Sequence, residues 1–163
     1  MFGPPGHAYV YLVYGMYDCL NVVTEVEGRA AALLVRAVEP LAGADLMRRA
    51  RAEWLEARAG RCGPEQLLRA RQRVAALPDG ELASGPGLVC AAFSVDRRHG
   101  GLDLCDPASP LHLEPAAPGD PAPAVVSGPR IGVGYAAEPW RSLPWRFWTT
   151  GNRSVSGTGG GAR

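Results

Sequence analysis

No lysine occurs among the 163 residues, and all 17 positive side chains are arginine. A Walker A phosphate loop needs its lysine and is excluded. Schiff-base chemistry needs an amine, which here could come only from the chain terminus. Cysteine is scarce: Cys19, Cys62, Cys90 and Cys105 are far apart and form no C-x-x-C. They read as reduced structural thiols in a cytosolic protein rather than as a zinc site. His7, His99 and His112 show neither H-E-x-x-H nor H-x-E spacing, so a metal hydrolase or zinc deaminase is not expected. The longest apolar runs, such as Ala30 to Val35, are far shorter than the roughly 18 to 20 residues of a membrane span. The opening "MFGPPGHAYVY" has no basic leader region and breaks at Gly and Pro, unlike a signal peptide. No membrane partner is expected.

What is present is ordinary for a globular chain: 47% apolar residues, 20% charged residues and a net charge of +1. The length suits one domain with a single core. The wealth of Arg, Ala, Gly and Pro reflects GC-rich coding sequence. Arginines 48, 49, 51, 58, 61, 69, 71 and 73 face only glutamates 53, 56 and 65, a local excess of five positive charges. Such a cluster is either a phosphate-facing stripe or a solvated helix face, and the second is the commoner case.

The order of elements predicts an α+β single domain, with helices inserted between strands of one mostly antiparallel β-sheet. Residues 8–14 and 19–26 are rich in β-branched and aromatic side chains and flank "GMYD", which reads as a hairpin turn. After Glu27 and Gly28, "RAAALLVRAVEP" suits a strand buried on both faces. Leu41, Ala44, Leu46, Met47, Ala50, Trp54 and Leu55 then recur at helical spacing, with Gly60 as the stop. Pro64 opens a second helix that "PDG" ends. A short third helix, capped by Ser84, is expected to carry Leu88, Val89, Ala92 and Phe93 inward. Asp96 to Pro129 reads as loop with one short strand at "LHLEP"; strands return at "PRIGVGYA" and "WRFWTT", and residues 157–163 read as a disordered tail.

Four of the five tyrosines, Tyr9, Tyr11, Tyr14 and Tyr17, crowd into nine residues. Strand alternation puts Tyr9 and Tyr11 on one face and Val10 and Leu12 on the other, toward the core. The aromatic face is then free to wall a pocket, and Tyr14, entering the turn, is exposed. Two readings fit: hairpin packing, or a wedge that enters the base stack while an extruded nucleotide occupies the pocket.

The block "MFGPPGHAYVYLVYGMYDCLNVV", with "LLVRAVEPLAG" beginning ten residues on, resembles the alkyladenine type of 3-methyladenine DNA glycosylase. In the same order follow "ELASGPG" at 81–87, "GPRIGVGYAAE" at 128–138, "LPWRFW" at 143–148 and "GNRSVS" at 151–156, so residues 1–156 form the matching domain. The resemblance implies the formyltransferase C-terminal-domain-like fold and base excision repair of alkylated purines in double-stranded DNA. It further implies a monomer at the nucleoid of a bacterial cytoplasm, with no cofactor and no metal. Tyr14 resembles the intercalating wedge, with Met16 and Tyr17 beside it in the groove of the DNA. Tyr11 resembles the ring under the flipped base, Tyr9 a supporting hydroxyl, and Asn21 the gate that crowds the exocyclic amine of guanine. Arg36 and the carbonyl of Ile131 resemble the groups that hold the attacking water. Without the resemblance, Arg36 reads as a strand arginine paired with Glu39 or a turn acid, and Ile131 as a plain strand residue.

The resemblance also exposes a gap. The family's general base is a glutamate in a Glu-Thr-Glu-Ala-Tyr context, followed by an Ala-His-Ser segment, and neither occurs here. Positioned acid-base catalysis contributes about 10²- to 10⁴-fold, so water activation is expected to be badly impaired. Asp18, Glu25, Glu27 and Glu39 are the nearest carboxylates in sequence, and none matches a family catalytic position. The expected explanation is a start assigned too late or a truncated gene, which the upstream reading frame decides. Smaller departures are "LVCA" at 88–91, where the family carries a lysine-containing stretch, and Arg153 in place of a proline.

Overall fold

A computed structural model describes residues 1–61 and 63–155, apart from the Arg61 side chain. Cys62 and the expected tail at 157–163 lie outside the described residues. The chain forms a single α+β domain with antiparallel sheets and inserted helices. Strands β1 (Ala8–Val13), β2 (Tyr17–Val23) and β3 (Ala32–Leu34) make a three-stranded meander in the order β1-β2-β3. Three helices follow, α1 (Ala44–Glu56), α2 (Pro64–Ala75) and α3 (Pro86–Ala92). Strands β4 (Val125–Gly128) and β5 (Arg146–Thr149) pair as a separate two-stranded ribbon, so the expected single sheet is in fact two.

The first hairpin turns earlier than "GMYD" suggests. The amide of Met16 donates to the carbonyl of Val13 at 3.0 Å, and the two residues between, Tyr14 and Gly15, have φ of 52° and 66°. Positive φ at both central positions matches the turn's twist to that of the strands. Tyr17 and Asp18 therefore belong to β2.

Helix α3 organises the core. Val89, Cys90, Ala91 and Ala92 are all buried, as expected for a helix that is apolar all round. Cys90 joins Ala8, Val10, Leu20, Val95 and Leu104 beneath the meander, whereas Val89 and Ala92 join Met47, Leu82 and Ala83 beneath α1. Each large apolar side chain so buried contributes roughly 1.5 to 3 kcal/mol. Gly87 lets α3 approach β2, because a Cβ there would stand 2.5 Å from Cδ1 of Tyr17.

Several expectations are corrected. Ser84 does not cap α3: Gly85 is the N-cap, its carbonyl accepts from Val89 at 2.8 Å, and Pro86 needs no donor partner at the first helical position. Phe93 closes the helix and is exposed, as are Leu12, Leu41 and Leu46. Helix α1 starts at Ala44, beyond the left-handed Gly43, which leaves Leu41 outside the apolar stripe. The strand expected across "RAAALLVRAVEP" shrinks to three residues, and Leu33 points outward. The chain then leaves the sheet, with Val38 bonding to Ala83 instead. "LHLEP" forms no strand; its Leu113 amide makes one bond, to the Leu104 carbonyl. "PRIGVGYA" is a succession of turns, because Pro129 lacks a donor and Gly132 has φ of 83°. The strand lies just before it, at Val125–Gly128.

Candidate base-recognition hairpin

Register places together Tyr9, Tyr11 and Asn21, the residues expected to line a pocket. Tyr9 pairs with Asn21 and Tyr11 with Cys19, so these four side chains share one face of β1 and β2. The Tyr9 and Tyr11 rings stack with centroids 5.5 Å apart and planes inclined by 28°. Asn21 is buried, and its Nδ2 donates to the carbonyls of Tyr9 at 3.0 Å and Cys19 at 3.2 Å. That bracing holds the amide rigid beneath the aromatic pair.

Burial pushes the Tyr11 phenol above its ordinary range. The neighbouring Cys19, Tyr9 and Tyr135 add to the rise, and Arg36 opposes it. Tyr11 therefore stays protonated at neutral pH, a stacking surface and hydrogen-bond donor rather than a base. Burial likewise raises the Cys19 thiol, which excludes a ready thiolate at this face. The same balance shows that the charge of Arg36 reaches Tyr11 and Cys19. Arg36 is exposed and makes no ion pair among the described residues. Glu39, its expected partner, instead accepts from Asn152 Nδ2 at 2.7 Å.

At the tip, Tyr14 is 89% exposed in a left-handed backbone conformation that an L-residue adopts at a cost of about 1 to 2 kcal/mol. Met16 is exposed beside it. Tyr17 takes a different place: its ring stacks on Trp54 of α1, with centroids 5.1 Å apart, and lies against Gly87 of α3. Arg58 completes the buttress, donating through Nε to the Met16 carbonyl at 3.2 Å while its guanidinium lies 4.2 Å from the Trp54 ring centroid. Ile131 sits on the turn segment after β4, half exposed, with no hydrogen bond to the tyrosine face among the described residues. That segment does bring exposed Tyr135 near Tyr11. Tyr135 is the fifth tyrosine of the chain, and its position within "GPRIGVGYAAE" is the one signal in the sequence that marks it.

Three of the carboxylates nearest in sequence are turned away or tied to other partners. Asp18 pairs in register with Leu12 and so faces away from Tyr9 and Tyr11; Glu25 meets Arg29 at 3.6 Å. The arginine cluster is largely spent within the helices. Arg48 bonds Asp79 and the Leu77 carbonyl, Arg51 the Leu82 carbonyl, Arg69 pairs with Glu65 and Arg71 with Glu56. Arg48, Arg51, Arg69 and Arg71 are therefore not free to form a phosphate-facing stripe. Among the described residues no group of three or more His, Cys, Asp or Glu could hold a metal, and no helix is long and apolar enough to cross a membrane.

Fold and site together define an α+β protein whose first hairpin presents one bare aromatic ring at its tip and a stacked aromatic pair behind it. Comparison with known proteins gives this class its family: residues 1–153 match the methylpurine-DNA glycosylase (MPG) family, and the chain belongs to it. A relative from Myxococcus xanthus is 41% identical over 156 residues, covering 96% of this chain and 61% of its own length. One from Methanocella arvoryzae is 42% identical over 156 residues, with 96% and 64% covered. One from Streptomyces avermitilis is 40% identical over 157 residues, with 96% and 62% covered. All three bear the name "Putative 3-methyladenine DNA glycosylase". The chain thus spans a little over three fifths of the length of these relatives.

Proposed function

We propose that the protein acts in base excision repair as a 3-methyladenine DNA glycosylase. It flips an alkylated purine out of duplex DNA, and the N-glycosidic bond is cleaved by water without a lyase step. The observation that carries the reading is Tyr14, a large aromatic ring left bare at a hairpin tip on strained backbone, which is costly unless the ring has work outside the fold. Tyr14 enters the base stack, with Met16 against the groove and Tyr17 supporting the tip from within. The extruded base lies on Tyr11, Tyr9 supports it, and Asn21 excludes guanine by crowding its exocyclic amine. Arg36 and the Ile131 carbonyl hold the water. The same reading makes the protein a monomer at the nucleoid of a bacterial cytoplasm, acting without metal or organic cofactor.

A second reading concerns this 163-residue chain specifically. Asp18 faces away from Tyr9 and Tyr11, Glu25 and Glu39 are held by Arg29 and Asn152, and Glu27 matches no catalytic position of the family, so in this reading the water lacks a general base. This chain then binds flipped-base DNA without cutting it. An alkylated duplex separates the two: released base supports the enzyme, and binding without release supports the binder. Stacking of one base on an aromatic contributes about 1 to 3 kcal/mol, so Tyr14→Ala is expected to weaken duplex binding roughly 5- to 150-fold. Unchanged affinity removes Tyr14 from the wedge role.

A further inference from the structure

Behind the hairpin, on the face opposite the stacked tyrosines, lies an open groove of about 440 Å³ lined by Leu12, Gly15, Asp18, Arg58 and Arg97, with Ala57 and Gly60 leaving it wide. Its charges are layered. Asp18 is 7% exposed at the floor, and its Oδ1 has no hydrogen-bond partner among the described residues. Its Oδ2 stands 4.0 Å from the Arg58 guanidinium, a loose pairing that steers Arg58 without saturating it. Arg97 is exposed at the lip and makes no ion pair among the described residues. The turn carrying it is capped: Asp96 closes residues 97–99, accepting from the Arg98 amide at 2.9 Å. Asp96 also takes up the adjacent Arg98 side chain, at 2.8 Å and 3.0 Å, which leaves Arg97 as the uncommitted cation.

We infer that this groove seats a backbone phosphate of the DNA, held between Arg58 and Arg97, on the side of the wedge away from the base pocket. The inference rests on the DNA-binding reading above. Gly15 lines the groove and directly follows Tyr14, so a duplex that admits the Tyr14 ring must pass over it. Arg58 spends its Nε on the Met16 carbonyl and an Nη1 hydrogen on the Trp54 carbonyl, which leaves its Nη2 edge and the whole Arg97 fork for the groove; two positive groups against one buried carboxylate make a net positive seat, the charge that a phosphodiester requires. Such a contact fixes the register of the duplex on the hairpin and carries no lesion information.

The test measures binding of alkylated and unmodified duplexes between about 50 and 200 mM salt, where each phosphate contact contributes about 0.9 to the slope of log K against log salt. Arg97→Ala is expected to flatten the slope by about 0.9 and weaken both duplexes equally. Arg69→Ala on α2 should leave the slope unchanged. A parallel titration follows the arginine Nε resonances of Arg58 and Arg97 with inorganic phosphate. Duplex binding with an unaltered slope in Arg97→Ala overturns the groove while the wedge stands. Phosphate-induced shifts at both arginines in a protein that binds no duplex support the anion seat and overturn the DNA reading. An absence of both shifts and slope change overturns the seat altogether.

Discussion

Gly87→Ala probes the contact that fixes the hairpin against the helices. A methyl group there would stand 2.5 Å, 2.7 Å and 2.8 Å from Cδ1, Cγ and Cβ of Tyr17. These atoms lie near the root of the side chain, so no flexible end can yield. The Tyr17 ring is also backed by Trp54 at 5.1 Å, which closes the other escape. Either α3 moves off β2 or the ring leaves its stack. Overpacking of this kind costs about 1 to 3 kcal/mol. Replacing a helical glycine by alanine returns at most about 1 kcal/mol, and less at the second position of a short helix. The net expectation is a loss of about 1 to 2 kcal/mol, or a fall in Tm of roughly 2 to 8 °C for a chain of this size. Thermal unfolding followed by circular dichroism measures it. The double variant with Tyr17→Leu should recover much of the loss, with a coupling energy of about 1 to 2 kcal/mol. A Gly87→Ala protein that melts at or above the parent temperature, with no coupling to Tyr17, would refute the close approach of α3 and β2.

Asn21→Ala tests whether the proposed gate is also a brace: loss of its two bonds to the Tyr9 and Cys19 carbonyls should cost about 1 to 3 kcal/mol in denaturant unfolding. An unchanged midpoint would leave Asn21 with no part in holding the strands. Burial pushes the Cys90 thiol up to about 12 from its ordinary 9.0. Its proton is thus retained in the folded state and lost from the unfolded chain above pH 9. Stability is full below pH 9 and falls by at most about 1.4 kcal/mol per pH unit toward 12. Cys90→Ala should remove that part of the alkaline slope, and an identical slope in the variant refutes the assignment.

The elements with a strong local period were legible in the sequence. The Pro64 helix start and the β5 strand lie where residue pattern puts them, and the hairpin is displaced only at its turn, because alternation, a first-turn proline and β-branched or aromatic runs act through near neighbours. Elements decided by distant partners were not. β3 is short because Val38 finds Ala83, and "PRIGVGYA" is turn because Gly132 and Pro129 outweigh its β-branched residues. At the candidate site, the pairing of Tyr9 and Tyr11 on one face followed from the strand period alone. The placing of Tyr17 did not, since the Trp54 ring and the bare Cα of Gly87 come from helices 37 and 70 residues away in the sequence.

By itself, then, the sequence determined the family, the tyrosine hairpin and the exclusion of lysine chemistry, all of which are properties of residue identity and short spacing. Only the tertiary structure decided that Tyr17 is buttressed by Trp54 and Gly87, that Asp18 faces away from Tyr9 and Tyr11, and that Arg58 and Arg97 line one groove. Those are matters of register and of packing between segments far apart in the chain. No local pattern encodes them, because their energy comes from contacts that exist only once α1 and α3 have closed on the sheet.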